Sequence, residues 1–227
     1  AIYASPSPPA CALCVEALGL RDPGGEQLGE LCGYLRSTLA GHRASFARRS
    51  AAMTERIHRL APGDDELTRL ALQNRLWGDV SAKTFRRAQL KMGHRALDVG
   101  CGPGFAAFDI ADIVTRYGSV FGVDESPAFI EHANEQAQAR GIQHFAGAVG
   151  DVQELDEVLS DQEPFDFAYA RWVLCFIADP EAAVRGIANA LAPGGRVAIH
   201  DYFDYSSMTL APRRRSHDLA VEATSRS

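Results

Sequence analysis

The chain has 227 residues, of which 46% are hydrophobic, and a formal net charge of -6. That size and content suit one α/β domain with an appendage, while the charge gives no broad field attractive to phosphates and so disfavours nucleic acid as a partner. No run approaches a membrane span, and five scattered cysteines without a recognisable secretory leader argue against a disulfide framework and for the reducing cytoplasm.

Residues 1–10 are rich in Pro, Ser and Ala, carry no apolar period and read as a disordered leader. The chain opens on Ala1, as a fragment would. From Cys11 to about Leu60 the pattern is loosely helical, with Val15-Glu16-Ala17-Leu18 as helix and breaks at Pro23-Gly24-Gly25 and Pro62-Gly63. Cys11 and Cys14, with Cys32 and His42, form at most an irregular zinc set, since a ribbon would want a second C-x-x-C. The arginines at 43, 48, 49, 56 and 59 read as a solvated helix face, and Arg213-Arg214-Arg215 as part of a polar tail. The division expected is therefore 1–60 as a helical appendage, 61–203 as the functional core and 204–227 as the tail.

Asp64-Asp65-Glu66 suits a helix N-terminus, with Leu67, Leu70, Leu72 and Leu76 as its apolar side. Ser81 can cap a second helix carrying Phe85 and Leu90. Ala96-Leu97-Asp98-Val99 then reads as a buried strand that breaks into Gly100-Cys101-Gly102-Pro103-Gly104-Phe105. Only glycine lets backbone take unusual φ/ψ and come into contact with a ligand, and the helix that follows aims its unpaired N–H groups at the same place. Val120 to Val123 is a second apolar strand, ending in Asp124 twenty residues beyond Gly104. A Rossmann-type fold places there the carboxylate that accepts bonds from ribose hydroxyls. Phe105 stands where a dinucleotide fingerprint needs its third glycine, which disfavours a pyrophosphate cradle.

The remainder alternates helix and strand, as a parallel sheet with helices on both faces does. Ala106 to Tyr117 is helical up to Gly118. Ser126-Pro127 opens a helix with Ile130, Ala133 and Ala137 on one face and Gly141 at its end. Phe145 to Val149 is the third strand, with Gly147 a candidate bulge, and Phe165 to Val173 the fourth. Asp179-Pro180 opens a helix buried through Val184, Ile187, Ala188 and Leu191, and Arg196 to Tyr202 is the fifth strand.

These residues resemble the class I S-adenosylmethionine-dependent methyltransferases. Asp98-Val99-Gly100-Cys101-Gly102-Pro103-Gly104 is similar to the family's D-x-G-x-G-x-G first motif, and Asp124 to its ribose-binding acid. Gly150-Asp151-Val152 with Leu155 is similar to its adenine-binding turn, and Leu191-Ala192-Pro193-Gly194-Gly195-Arg196 to its L-x-P-G-G-x segment. The likeness covers about residues 80 to 203. It implies a Rossmann-like, doubly wound sheet of five parallel strands, S-adenosylmethionine as cofactor, and helices before the first strand folded over the site as a partial lid, with Trp77 closing it. Asp98 would position the methionine portion, Asp124 hold the ribose, Asp151 accept from the adenine amino group and the Val152 amide donate to a ring nitrogen. Phe105, Glu125 and Ser126 are expected walls of the pocket.

One departure stands out. The family's terminal antiparallel hairpin is missing, so a hydrophobic edge would be open unless the chain is truncated or the first sixty residues or another subunit of a homo-oligomer cover it. Ligands of open α/β sheets bind at the carboxyl ends of the strands, so Asp166, at the start of its strand, reads as structural. Arg171 and Trp172 fall beside the expected methyl donor, where Arg171 could pair with the methionine carboxylate or with an acidic substrate. His200, with its near-neutral intrinsic pKa, is the first choice of general base, ahead of Asp201 and Tyr202. Ala170-Arg171-Trp172-Val173 has neither the N-P-P-Y-like turn of amino-methylating enzymes nor a Pro-Cys nucleophile, which leaves a small organic acceptor. The alternatives are a non-catalytic cofactor-binding or scaffold subunit, an RNA methyltransferase with a zinc-binding head, and a nicotinamide oxidoreductase.

Overall fold

The computed structural model describes residues 12–16 and 63–202, together with Arg215. In chain order the elements are β1 (Ala12–Glu16), α1 (Asp64–Arg87), β2 (Arg95–Val99), α2 (Phe105–Val114), β3 (Ser119–Asp124), α3 (Pro127–Ala139), β4 (Phe145–Val149), α4 (Leu155–Val158), β5 (Phe165–Arg171), α5 (Pro180–Ala190) and β6 (Leu191–Tyr202). One six-stranded sheet runs in the order β1-β6-β5-β2-β3-β4. Its five strands from β2 to β6 are parallel, and β1 is antiparallel to β6. The chain winds from β2 outward to β4 and then returns to β5 on β2's other flank. The switch point where such folds open a crevice therefore falls at the carboxyl end of β2.

Alternate side chains of each strand feed opposite faces. Leu97, Val99, Ala168, Val197 and Ile199 pack with Leu155, Val184 and Ile187 beneath α4 and α5. Ala96, Phe167, Tyr169 and Ala198 pack with Phe85, Phe108 and Ile110 beneath α1 and α2. The caps read from sequence are in place: Ser126 Oγ accepts from the Phe129 amide and Asp179 Oδ1 from the Ala182 amide, each with proline in the first turn. Asp166 is structural, accepting from the Arg95 amide at 2.9 Å at the amino end of the sheet.

Four local expectations give way. Residues 64–87 form one continuous helix; no proline interrupts it, and Ser81 turns its hydroxyl into the core instead of capping a new start. The buried side of α1 is Ser81, Thr84 and Phe85, with Ala88 just past its end, while Leu72 and Leu76 are 54% and 72% exposed. Gly147 pairs in regular register with Gly122, with no bulge, and its N–H and C=O are both met by the Asn134 side chain. The L-x-P-G-G-x segment lies within β6, where the register with β5 jumps from Phe165↔Leu191 to Phe167↔Arg196 around Gly194 at φ +82. That bulge takes up the turn residues, so α5 stops at Ala190 and Leu191 already belongs to the sheet.

The helical reading of the segment after Cys11 is corrected as well. Ala12–Glu16 is a strand, Ala12 opposite Tyr202 and Glu16 opposite Ala198. Five residues are too few to separate a period of two from one of 3.6. This strand covers the β6 edge that the sequence left open. The Cys32–His42 pair and the arginines at 43–59, 213 and 214 lie outside the described residues, and among the described residues no group of His, Cys, Asp and Glu could hold a metal.

Candidate cofactor and acceptor site

The loop after β2 is a tight glycine cradle. Gly100, Gly102 and Gly104 have φ of +68, +53 and +86, values that a side chain would strain. A Cβ on Gly100 would meet Val173 at 2.4 Å and one on Gly104 would meet Phe108 at 2.9 Å, whereas one on Gly102 meets nothing within 4 Å. The space above Gly102 is thus where a ligand can approach bare backbone. The loop hangs from β3, since the Gly100 and Cys101 amides both donate to the Val123 carbonyl. Cys101 turns its buried side chain toward Gly122, where a Cβ would stand 2.8 Å from its Sγ, and burial beside Asp98 and Asp124 pushes its thiol pKa up. Its part in the cradle is its backbone. Gly104 leads into Phe105, the first residue of α2.

Three carboxylates surround this loop. Asp124 accepts from the Gly102 amide at 2.8 Å through Oδ2 and from the Ser126 amide at 2.9 Å through Oδ1. Those bonds take about two of a carboxylate's roughly four acceptor positions and fix its plane beside the cradle. Ser126 is committed to capping α3, and Glu125 is exposed. Asp98 is 2% exposed, and its Oδ2 has no hydrogen-bond partner. Desolvation raises its pKa to about 7, against the pull of Arg171 and the Ala107 amide. A buried, partnerless carboxylate oxygen is costly unless a cation or donor reaches it. Asp151 stands farther along, after β4, its carboxylate held by the Gln153 amide at 2.8 Å and by Gln153 Nε2 at 3.1 Å to each oxygen. Val152 is buried beside it.

Arg171 ends β5 directly opposite His200 of β6. Its guanidinium reaches up to α1, with Nη2 2.7 Å from Asn74 Oδ1 and Nη1 3.3 Å from Ser81 Oγ, and lies 5.1 Å from the Trp172 ring centroid. Asn74 in turn donates to Asp109 of α2 at 3.1 Å. His200 is 1% exposed, its Nδ1 3.0 Å from Tyr169 Oη. Burial first, and then Arg171, lower its pKa to about 4. Trp77 of α1 stands edge-on to both Trp172 and His200, with centroids 5.5 and 5.8 Å away. Asp201 is part of the scaffold, accepting from the Leu174 and Cys175 amides and so pinning the loop after β5. In that loop Trp172 adopts φ +55, a left-handed conformation uncommon for a bulky residue.

The sequence-predicted cradle and acids thus meet at one end of the sheet, with Arg171, Trp77 and His200 beside them under α1. Asn74, Ser81, Tyr169 and Gln153 are the members that sequence reasoning passed over. Tyr169 hides inside an apolar strand, and the others become visible only through the long-range partners they hold.

The donor set decides what could occupy the crevice. Asp98, Asp124 and Asp151 oppose a diphosphate but complement an ammonium group, a vicinal diol and an exocyclic amine. Those are the polar features of S-adenosylmethionine, so the residues fit that cofactor. The chain belongs to the methyltransferase domain family, whose model matches residues 90–221, more than half of its length. It is 33% identical over 106 residues to aklanonic acid methyltransferase DauC of Streptomyces sp. strain C5, covering 47% of each chain. Over 149 residues it is 33% identical to a 2-phytyl-1,4-naphtoquinone methyltransferase of Nostoc punctiforme, covering 64% of this chain and 62% of the relative. The chain therefore spans about half to three fifths of the length of these curated relatives. A solved S-adenosylmethionine-dependent methyltransferase from Aquifex aeolicus aligns at a TM-score of 0.48 and 21% identity, over 53% of this chain and 63% of that one.

Proposed function

We propose that this chain binds S-adenosylmethionine and transfers its methyl group to a small organic acceptor. The observation that carries this reading is the juxtaposition of an open glycine cradle at Gly102 with a partnerless buried oxygen on Asp98 and an amide-oriented carboxylate on Asp124. Asp98 would meet the ammonium of the methionine portion, Asp124 the ribose diol, and Asp151 with the Val152 amide the adenine edge. Phe105 and Glu125 would flank it. Bound there, the cofactor supplies a methyl group already activated on a sulfonium, so the protein's task is alignment and exclusion of water. Orientation of this kind is worth about 7 kcal/mol or more in well-aligned models. Trp77 and Trp172 cover the strand ends, and Arg171 holds α1 over them.

The relatives named for aklanonic acid and a naphthoquinone support an oxygenated, small-molecule acceptor over a nucleic acid. The free Cys101 and Cys175 suit a reducing cytoplasm, and no helix among the described residues is long and apolar enough to cross a membrane. Calorimetry with S-adenosylhomocysteine tests the pocket: Asp124→Ala is expected to weaken binding by about 1 to 3 kcal/mol through loss of charge-assisted bonds. Unchanged affinity in a folded variant removes the assignment. Labelled-methyl transfer to an acceptor panel separates an enzyme from a cofactor-binding scaffold, which would bind without turnover.

A further inference from the structure

Three hydrogen bonds run in file from Arg171 to His200. Arg171 Nη1 lies 3.3 Å from Ser81 Oγ, Ser81 Oγ 3.2 Å from Tyr169 Oη, and Tyr169 Oη 3.0 Å from His200 Nδ1. A guanidinium can only donate, so Ser81 accepts from Arg171. Ser81 is 1% exposed, and of its two partners only Tyr169 can accept, so the serine proton points at Tyr169. Tyr169, accepting there, directs its own proton onto His200 Nδ1. A fixed cation at the head of the file favours this polarity, because each bond in a chain aligns and strengthens the next. A neutral imidazole that accepts at Nδ1 carries its proton on Nε2. Burial and Arg171 keep the ring neutral at ordinary pH. Nε2 has no hydrogen-bond partner among the described residues, and it is not one of the fully buried unpaired atoms. It is the ring nitrogen left to meet a ligand at the strand ends.

We infer that His200 serves the acceptor as a hydrogen-bond donor through Nε2–H, with Tyr169 as the positioning residue that fixes its tautomer, so that the acceptor presents a carbonyl, carboxylate or phenolate oxygen there. In this tautomer Nε2 cannot take up a proton, and the general-base role expected from the sequence gives way to recognition. The identity of the ligand rests on the methyltransferase reading; the tautomer rests on the hydrogen-bond file alone.

Nitrogen-15 NMR of the full chain labelled at histidine reads the tautomer directly, with His200→Gln identifying the resonance. The wild type is expected to show Nε2–H, and Tyr169→Phe to shift the population toward Nδ1–H; Ser81→Ala makes the same test through a smaller change should the tyrosine variant not fold. A wild-type Nδ1–H signature, or a tautomer indifferent to both variants, overturns the inference. In labelled-methyl assays over hydroxylated quinones, phenols and oxygen-free amines, His200→Gln, whose amide nitrogen can stand near the Nε2 position, is expected within about threefold of wild type, and His200→Asn to lose about tenfold or more. Amines turned over as well as the oxygenated acceptors, or Asn rescuing as well as Gln, would sink it. Calorimetry with S-adenosylhomocysteine on the same samples reports separately on the cofactor pocket: a wild type that binds none overturns the methyltransferase reading and leaves the tautomer measurement standing.

Discussion

Burial shifts Asp98 and His200 in opposite senses, raising the pKa of the first and lowering that of the second, while one cation, Arg171, pulls both down. Asp98 has its pKa raised from 3.8 to about 7, so its contribution to stability is whole below the unfolded value and is lost as pH rises through about 7. His200 has its pKa lowered from 6.5 to about 4, so its contribution is whole above pH 6.5 and is lost as pH falls toward about 4. The two terms are of order 4 and 3 kcal/mol, and between about pH 4 and 6.5 their slopes nearly offset. Single substitutions should uncover each limb. Asp98→Asn is expected to raise Tm above wild type at about pH 7.5, with the gain shrinking on acidification as Asp98 of the wild type takes up its proton below about pH 7. His200→Gln is expected to gain on wild type toward about pH 4.5. Thermal melts across this range check both, and parallel curves for wild type and either variant would show that these groups do not govern the pH response. Asp98→Asn should also weaken S-adenosylhomocysteine binding, because a neutral amide replaces the carboxylate at the partnerless oxygen.

At the scale of an element, α1 shows where the sequence was legible and where it was not. The parallel strands were read correctly because strands buried on both faces are near-continuous apolar runs, and the glycine cradle and its acids because positive φ and carboxylate chemistry leave few residue choices. The inward face of α1 escaped that logic. It contacts the strand ends through Asn74, Ser81 and Trp77 and the core through Thr84 and Phe85, so a search for apolar periodicity selected Leu72 and Leu76, which are exposed. The helix is latched largely by Arg171, whose two nitrogens hold positions 74 and 81 at once, a fork that lysine cannot reproduce. Hydrogen bonds to a charged group are worth about 1.5 to 3 kcal/mol. Arg171→Ala is therefore expected to lower the local opening free energy of α1 by about 2 kcal/mol. Faster amide exchange confined to residues 64–87 is the expected signature, with β2 to β4 unchanged. Arg171→Lys should recover less than half of that loss, and protection of α1 that is equal in wild type and Arg171→Ala would mean that the apolar contacts of Phe85 alone hold the helix.

The parallel part of the sheet, β6 to β4, has two edges, and the molecule guards them differently. At β4 the backbone of Gly147 is occupied by a side chain, Asn134, which satisfies its N–H and C=O together. At β6 the protection is another strand: β1 pairs from Ala12 to Glu16 along residues 198–202, five positions of a strand whose Val197, Ala198 and Ile199 are fully buried. A segment far from the core in sequence thus completes the sheet, and its removal would leave a long apolar strand with unpaired N–H and C=O groups, the arrangement that templates pairing with another chain. A variant lacking residues 1–16 should accordingly keep its Rossmann-like core, since β2 to β6 supply the strand residues of both described core clusters, but should self-associate as concentration rises. Sedimentation velocity over a concentration series distinguishes the cases. Growth of dimers or larger species in the truncated chain, beyond any seen with the full chain, is expected. A truncated chain as monodisperse as the full one would show that β1 decorates the β6 edge without guarding it.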